Sequence, residues 1–542
     1  MRVRLKAIPG ILCGAVLFSA IAFAAARSEV ADAAMNKNKE ALRALLEKKA
    51  DVNAPQTDGA TALHWAVRWD DSEMADLLIK AGAKVKIANR EGATPLFLAC
   101  ENGSASMIEK LLKAGEDANA VVLTHGETAL MMAARSGKVD AVKVLLDRGA
   151  DVNAKENLGG TTALMWAADE NHAAIVRLLA EHGADVNQQA KIVTPPAGRR
   201  GGNGGGPNPG AAAAAAAAAA EAAAEDYVPP PKVKGGLTAL VMAARNDNTD
   251  AVNALLAAAA DINRTSGDGT SPLLAAVQNG FYDVGALLLD KGANPNVANN
   301  KGWTPLYIAV KNRNLETGTI PLPSNVGALD FIKLLLDKGA DPNLRISADT
   351  EVHSGFKAQW LKEAGATPFF RAAVSGDLTV MKLLMAKGAD PLLATSDRTT
   401  PLMGAAGIGW SDGFSHEYSE KETIEAIQLL LDKGSDVNAV NDQGMTALHG
   451  AAHKAANQAI VLLVDRGARL DVRDKGKVGA FGNSNGGLTP LEWAQGVPIG
   501  ASSGIYKADT VALITRLMTE RGIPLPQATN RTVGGNVGVK KQ

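Results

Sequence analysis

Cysteine is nearly missing from this chain: Cys13 and Cys100 are the only two. Cys13 lies inside an apolar run after Gly10-Ile11-Leu12, the wrong setting for a lipid-modified cysteine. Without that run Cys100 is alone, and no intramolecular disulfide can form. An excess of one charge is missing too. The formal net charge is −1, and removing Arg2, Arg4 and Lys6 leaves 53 basic against 57 acidic residues. That balance excludes the positive field that a nucleic-acid partner requires. Aromatic residues are only 4% of the chain, so a core must come from Ala, Leu and Val. No second long apolar run follows the first 26 residues, so no membrane span is expected beyond them. The metalloprotease helix motif, the phosphate-binding glycine loop, the dinucleotide fingerprint and the Gly-x-Ser-x-Gly elbow are all missing. The sequence therefore predicts no catalytic residue, no cofactor and no metal site.

What is present begins with residues 1–26. Arg2, Arg4 and Lys6 precede an apolar stretch at 11–23, and Ala22-Phe23-Ala24 or Ala24-Ala25-Ala26 offers a small-residue cleavage site. This is the pattern of a secretory signal, which places the protein in the periplasm or outside the cell. An uncleaved anchor is the alternative, since 8–26 is nearly long enough to span.

Residues 128–153, TALMMAARSGKVDAVKVLLDRGADVN, organise the rest. Thr128 is a helix cap for 129–136 because its side-chain oxygen accepts a first-turn N–H. Gly137 breaks the chain, and Val139, Val142, Val144, Leu145 and Leu146 give an apolar face to a second helix at 140–148. Gly149 stops it where a positive φ is needed. Two helices this short cannot bury that face alone. Copies supply the missing contacts. The opening Thr-x-Leu, or a close variant, stands at Thr61, Thr94, Thr128, Thr162, Thr238, Ser271, Thr304, Thr367, Thr400, Thr446 and Thr489. Successive steps are 33, 34, 34, 76, 33, 33, 63, 33, 46 and 43 residues, so most are one bare period and the rest carry insertions. Several copies have Pro at the second position, where the first helical turn tolerates its missing N–H.

This array resembles the ankyrin repeat, whose unit is a β-turn finger, two antiparallel helices and a loop. The closing Gly-Ala-Asp-x-Asn of that family stands at 149–153, 183–187 and 339–343, with variants at 292–296 and 434–438. The resemblance covers nearly all of 28–525. It implies an all-α solenoid. It also implies that His64 and His449, at the fourth position of the opening, hydrogen-bond within the corner between hairpin and helix.

The expected organisation is a signal at 1–26, a capping repeat without a finger at 27–56, repeats at 57–190, an insertion at 191–234, further repeats at 235–525 and a loose tail at 526–542. Lys49 replaces the stop glycine of the cap. The insertion holds Arg199-Arg200-Gly201-Gly202, ten alanines at 211–220 and Pro229-Pro230-Pro231, the composition of a solvated linker. Extra residues at 315–325, 408–419 and 496–507 fall between the helices of a repeat. Those at 345–363 and 474–485 fall between repeats, which in the ankyrin arrangement means the finger edge. Ala259 stands where glycine should stop a helix, at a cost of about 1–2 kcal/mol. A mechanical weak point is expected there.

Function then rests on surface. Trp65, Trp166 and Trp493 take a core register, whereas Trp69 lies one turn later, on an outward face. Trp303 occupies a finger tip, either as a binding anchor or packed on its neighbour. Arg68, Asn102, Arg135, Glu170, Arg245, Asn279 and Lys311 fill matching first-helix slots with changing charge and shape. Such a mixed surface suits a protein partner better than a polyanion. His449 and His453 have a metal-ligand spacing, but His449 is already explained by the repeat and no third ligand is near in sequence. Cys100 takes the place of a packed helix alanine. The sequence thus points to a non-enzymatic, exported protein-binding scaffold. Two alternatives stay open: an enzyme or enzyme-associated subunit whose site the insertions complete, with His353 and Trp360 as candidates, and a structural spacer of the envelope.

Overall fold

Threonine at the head of each copy does what its chemistry allows. The computed structural model describes residues 28–193, 233–314, 324–349, 361–410, 419–476, 487–497 and 505–526. All eleven opening residues are helix N-caps in it. Nine accept the N–H three residues on, at 3.1–3.4 Å. In the organising repeat the helices are Ala129–Ser136, as expected, and Val139–Asp147, one residue earlier than expected. Gly137 (φ 77°) and Gly149 (φ 83°) are left-handed, as their stop roles require. The described residues hold 24 helices and one antiparallel pair of two-residue strands, Ile192–Val193 and Lys234–Gly235. The architecture is an all-α repeat solenoid. The expected signal at 1–26, most of the 191–234 insertion, His353, Trp360 and the residues beyond Pro526 lie outside the described residues.

The chain divides into two compact units, Met1–Asp151 and Val152–Gln542. In the first, the first helices Glu29–Met35, Ala62–Arg68, Pro95–Asn102 and Ala129–Ser136 stack in order. Leu63, Val67, Leu96, Cys100 and Leu130 are buried between them. Burial pushes the Cys100 thiol well above its ordinary range, so no thiolate is available for chemistry. In the second unit Ala163–Asp169 packs directly on Ala239–Arg245, and Ala173–Glu181 on Thr249–Ala257. The stack is therefore continuous across the insertion at 191–234.

One backbone hydrogen bond closes every finger. Gln56 N–H donates to Ala60 O (2.8 Å) and Asn299 N–H to Trp303 O (3.1 Å). The same bond joins Ala190 to Leu237 (2.9 Å), Ile346 to Ala366 (3.0 Å) and Asp474 to Leu488 (3.0 Å). The three between-repeat insertions are thus enlarged finger tips, and the two short strands are the stem of the first. Neighbouring fingers are tied in turn, for example Asn300 N–H to Asp268 O at 2.8 Å and Ser396 N–H to Ala364 O at 2.7 Å.

Where a repeat closes with asparagine, that side chain has a physical role. Asn343 Nδ2 donates to Gly388 O at 2.9 Å, while its Oδ1 accepts Asp390 N–H at 2.8 Å. Asn119, Asn153, Asn296 and Asn438 make the same double clamp on the next loop. Each clamp pairs the carbonyl of the glycine that follows a second helix.

Ala259 adopts φ 61° and Lys49 φ 57°, both strained for L-residues. Around Ala259 the loop is held by Asn187 Oδ1, which accepts Asp261 N–H at 2.7 Å. Elsewhere in this unit acids and bases at second-helix ends pair between repeats, as in Asp290–Lys338 (2.9 Å) and Asp432–Arg466 (3.2 Å). The helix Thr249–Ala257 ends in alanines instead. Its inner edge is tied: Asn248 Nδ2 donates to Ala168 O and Asp169 O, and Ala251 N–H to Asn171 Oδ1.

Candidate interaction surface

The free ends of the first helices carry the candidate residues. Each end lies one turn past the buried face, so its last side chains reach solvent whatever the core requires. In the first unit Arg68, Asn102 and Arg135 are exposed, and Trp69 is 39% exposed. In the second unit Glu170 and Asn279 are exposed, while Arg245, Lys311 and Trp303 are half-buried.

Several of these side chains are partly committed to the stack. Asn102 Nδ2 donates to Val67 O (2.9 Å) and Arg68 O (3.3 Å), pairing carbonyls at the end of the preceding first helix. Asn312 does the same to Val277 O at 2.8 Å. Asn279 Nδ2 donates to Ala275 O in its own helix at 2.9 Å. Arg245 lies 3.5 Å from Asp169, a half-exposed pair that contributes little. Trp303 leans on its neighbouring finger: its indole N–H donates to Ala348 O at 3.2 Å, and Lys301 Nζ sits 4.5 Å from the ring centre.

Trp69 is differently placed. Its ring stacks on Trp65 with centroids 6.0 Å apart, and Lys37 Nζ lies 4.2 Å from its centre. The positions equivalent to Trp69 hold Asn102, Ser136, Glu170, Asn246, Asn279 and Asn312. Trp69 thus puts a ring against Lys37 of the capping repeat where those repeats carry Asn, Ser or Glu. Sequence reasoning missed Lys37, because its role depends on a ring in the following repeat. It also placed Trp65 and Trp166 in the core. Both are half-buried, because each indole N–H reaches a polar partner at the finger: Gln56 Oε1 at 2.6 Å and Thr161 Oγ1 at 2.8 Å. Trp493 is fully buried, with its N–H on Asp474 Oδ2 at 2.6 Å.

His64 and His449 are corner groups. His64 Nδ1 accepts Thr61 N–H at 3.0 Å and its Nε2 faces Ala93 O at 3.1 Å. His449 repeats this with Thr446 and Leu488. Burial lowers both from the ordinary value of 6.5, that of His449 to about 4. His453 meets Trp410 and Trp493 edge to face, at 5.8 and 5.6 Å. Among the described residues no group of three or more His, Cys, Asp or Glu is placed to hold a metal ion. No helix among them is long and apolar enough to cross a membrane. Beside the 345–363 insertion, buried Arg371 Nη1 lies 3.8 Å from Glu363 Oε1.

Compared with known families, the chain matches the family model described as ankyrin repeats (3 copies) over residues 30–122, 96–190 and 240–346. It matches the one described as ankyrin repeats (many copies) over 415–464. Together these matches span more than half of the chain. No curated protein matches it.

Proposed function

The chain belongs to the ankyrin-repeat family, and from that premise we propose that it holds a protein partner along the free ends of its first helices and its finger tips. Proteins of this family are typically interaction scaffolds without an activity of their own. The observation that carries the finer proposal is the row Arg68, Asn102 and Arg135, with Trp69 at its edge. The slot of Arg68 holds Glu101 and Arg135 in the next two repeats, and that of Trp69 holds Asn102 and Ser136, while the threonine caps beneath them stay constant. Constant scaffolding under a varied surface is what selective recognition of a protein needs. Affinity capture with the full chain, followed by mass spectrometry, tests this. A specific partner is expected, recovered by the native chain and lost on Trp69→Ala; recovery that is unchanged in that variant removes Trp69 from the site.

Export is the second part of the proposal. The basic start, apolar stretch and small-residue site within 1–26 support it. N-terminal sequencing of the protein from its native host should begin at about residue 25 or 27. A mature protein that retains Arg2 to Lys6 in the cytoplasm would overturn this part alone.

A further inference from the structure

We infer that the joint between the repeats opened by Thr367 and Thr400 is a hinge, which lets the second unit flex when it takes a partner. The hinge itself goes beyond the scaffold function proposed above, and its test needs no partner. Only its use in binding rests on that function.

On either side of this joint the second-helix edge is tied. Before it, Asn296 and Asn343 each clamp the following loop, and Asp290–Lys338 (2.9 Å) and Asp337–Lys387 (2.7 Å) join successive helix ends. Beyond it, Asn438 clamps Gly467 O and Arg469 N–H, and Asp432–Arg466 (3.2 Å) and Asp465–Arg521 (3.6 Å) continue the ladder. At the joint both devices are missing. Leu392 takes the clamp position. Its N–H donates to Asp390 Oδ1 at 2.9 Å, as Asn343 N–H donates to Asp341 Oδ1 at 2.8 Å, so the backbone is in place and only the side chain differs. A leucine side chain neither donates nor accepts, and this one stands 45% exposed. Ala386 takes the place of Asp337 and Asp432, so Lys433 has no acid to match the one that Lys387 meets. Among the described residues no hydrogen bond or ion pair joins 376–394 to 419–440.

A third feature favours opening. Ser435 lies in the loop that a clamp from position 392 would hold, where other repeats have Ala340 and Ala389, and its hydroxyl oxygen is buried without a partner. An unpaired buried polar group costs free energy that contact with water recovers. The inner side of the same joint is closed. Ser396 N–H donates to Ala364 O at 2.7 Å between the fingers. The first helices Pro368–Ser375 and Pro401–Ala406 pack so closely that a Cβ at Gly404 would lie 2.7 Å from Val374 Cγ2. One edge without polar ties, set against a closely packed pivot, is the arrangement of a hinge.

Spin labels on introduced cysteines of the full chain, read by double electron–electron resonance, test this; Cys100 is buried and does not compete for label. Lys382→Cys with Glu425→Cys spans the joint, and Lys333→Cys with Lys382→Cys spans the clamped joint before it. All three positions are exposed. The first pair is expected to give a distance distribution about twice as broad as the second. Leu392→Asn combined with Ala386→Asp rebuilds the clamp and the ion pair, and should narrow the first distribution to the width of the second. Ser435→Ala should narrow it in part. Equal widths across the two joints, or a width across the first that ignores the rebuilt ties, overturns the hinge. The scaffold function falls separately, when capture with the native chain yields no specific protein.

Discussion

His449 Nε2 stands 3.1 Å from the carbonyl oxygen of Leu488, the residue that closes the next finger. Because Nδ1 accepts the Thr446 N–H, the proton must sit on Nε2 and the ring must be neutral. One imidazole thus joins two repeats through Nε2, and protonation would cost it the Thr446 N–H that Nδ1 accepts.

Stability should therefore depend on pH in a defined direction. The folded chain holds His449 at about 4 against an ordinary 6.5. As pH falls, the unfolded chain takes up the proton first, so unfolding is favoured. The contribution is complete above about 6.5 and is lost as pH falls toward 4, with an upper limit of roughly 3 kcal/mol. His64 acts in the same direction. Denaturant unfolding at pH 7 and pH 5 should show the loss, and His449→Gln should show much less of it. Equal pH dependence in both proteins would refute this role for the ring.

Ala259→Gly should stabilise the protein by about 1 kcal/mol, because glycine adopts φ near 61° without a Cβ penalty. Lys49→Gly should act likewise, and Gly149→Ala in the opposite sense. Thermal or denaturant midpoints read all three. Native-state hydrogen exchange should also show the repeat holding Ala259 opening earlier than its neighbours; uniform protection through that repeat would count against a weak joint.

Asp377→Ala should cost about 3 kcal/mol. Asp377 caps Leu378–Ala386 through Val380 N–H at 3.1 Å and is fully buried beside Arg313 Nε at 2.7 Å and Asn314 Nδ2 at 3.2 Å. Removing it strands a cation and opens a helix end. Asp377→Asn should cost less, because it keeps the cap acceptor. Equal losses in the two variants, measured by denaturant unfolding, would show that the cap is irrelevant.

Much of this was legible in the sequence because it is local. A threonine cap needs only the N–H three residues on, and a left-handed stop needs only its own φ. Thr128, Gly149 and Ala259 were readable for that reason. What stayed hidden depends on residues far along the chain. The neighbour of Trp303 is Ala348 and that of Arg313 is Asp377, each in the following repeat and beyond an insertion or loop of variable length. The surface was half legible: position in the repeat exposed Trp69, but nothing in the spacing said that Lys37 would lie on its ring.

Asn343→Ala should destabilise by about 1–2 kcal/mol, since Gly388 O and Asp390 N–H both lose a partner near the surface. Asn343→Asp should recover the acceptor half alone. An unfolding midpoint unchanged in Asn343→Ala would mean that water replaces the clamp at no cost.

The bond between the first and last residues of a finger is the same whether it spans 300–302 or 191–236. Whatever the chain adds beyond that bond, the helices below are built from the same contacts. Foreign peptides placed between Asn299 and Trp303 should therefore be carried by the array much as its own extra segments are, making finger tips the positions where a new specificity can be grafted without redesigning the stack.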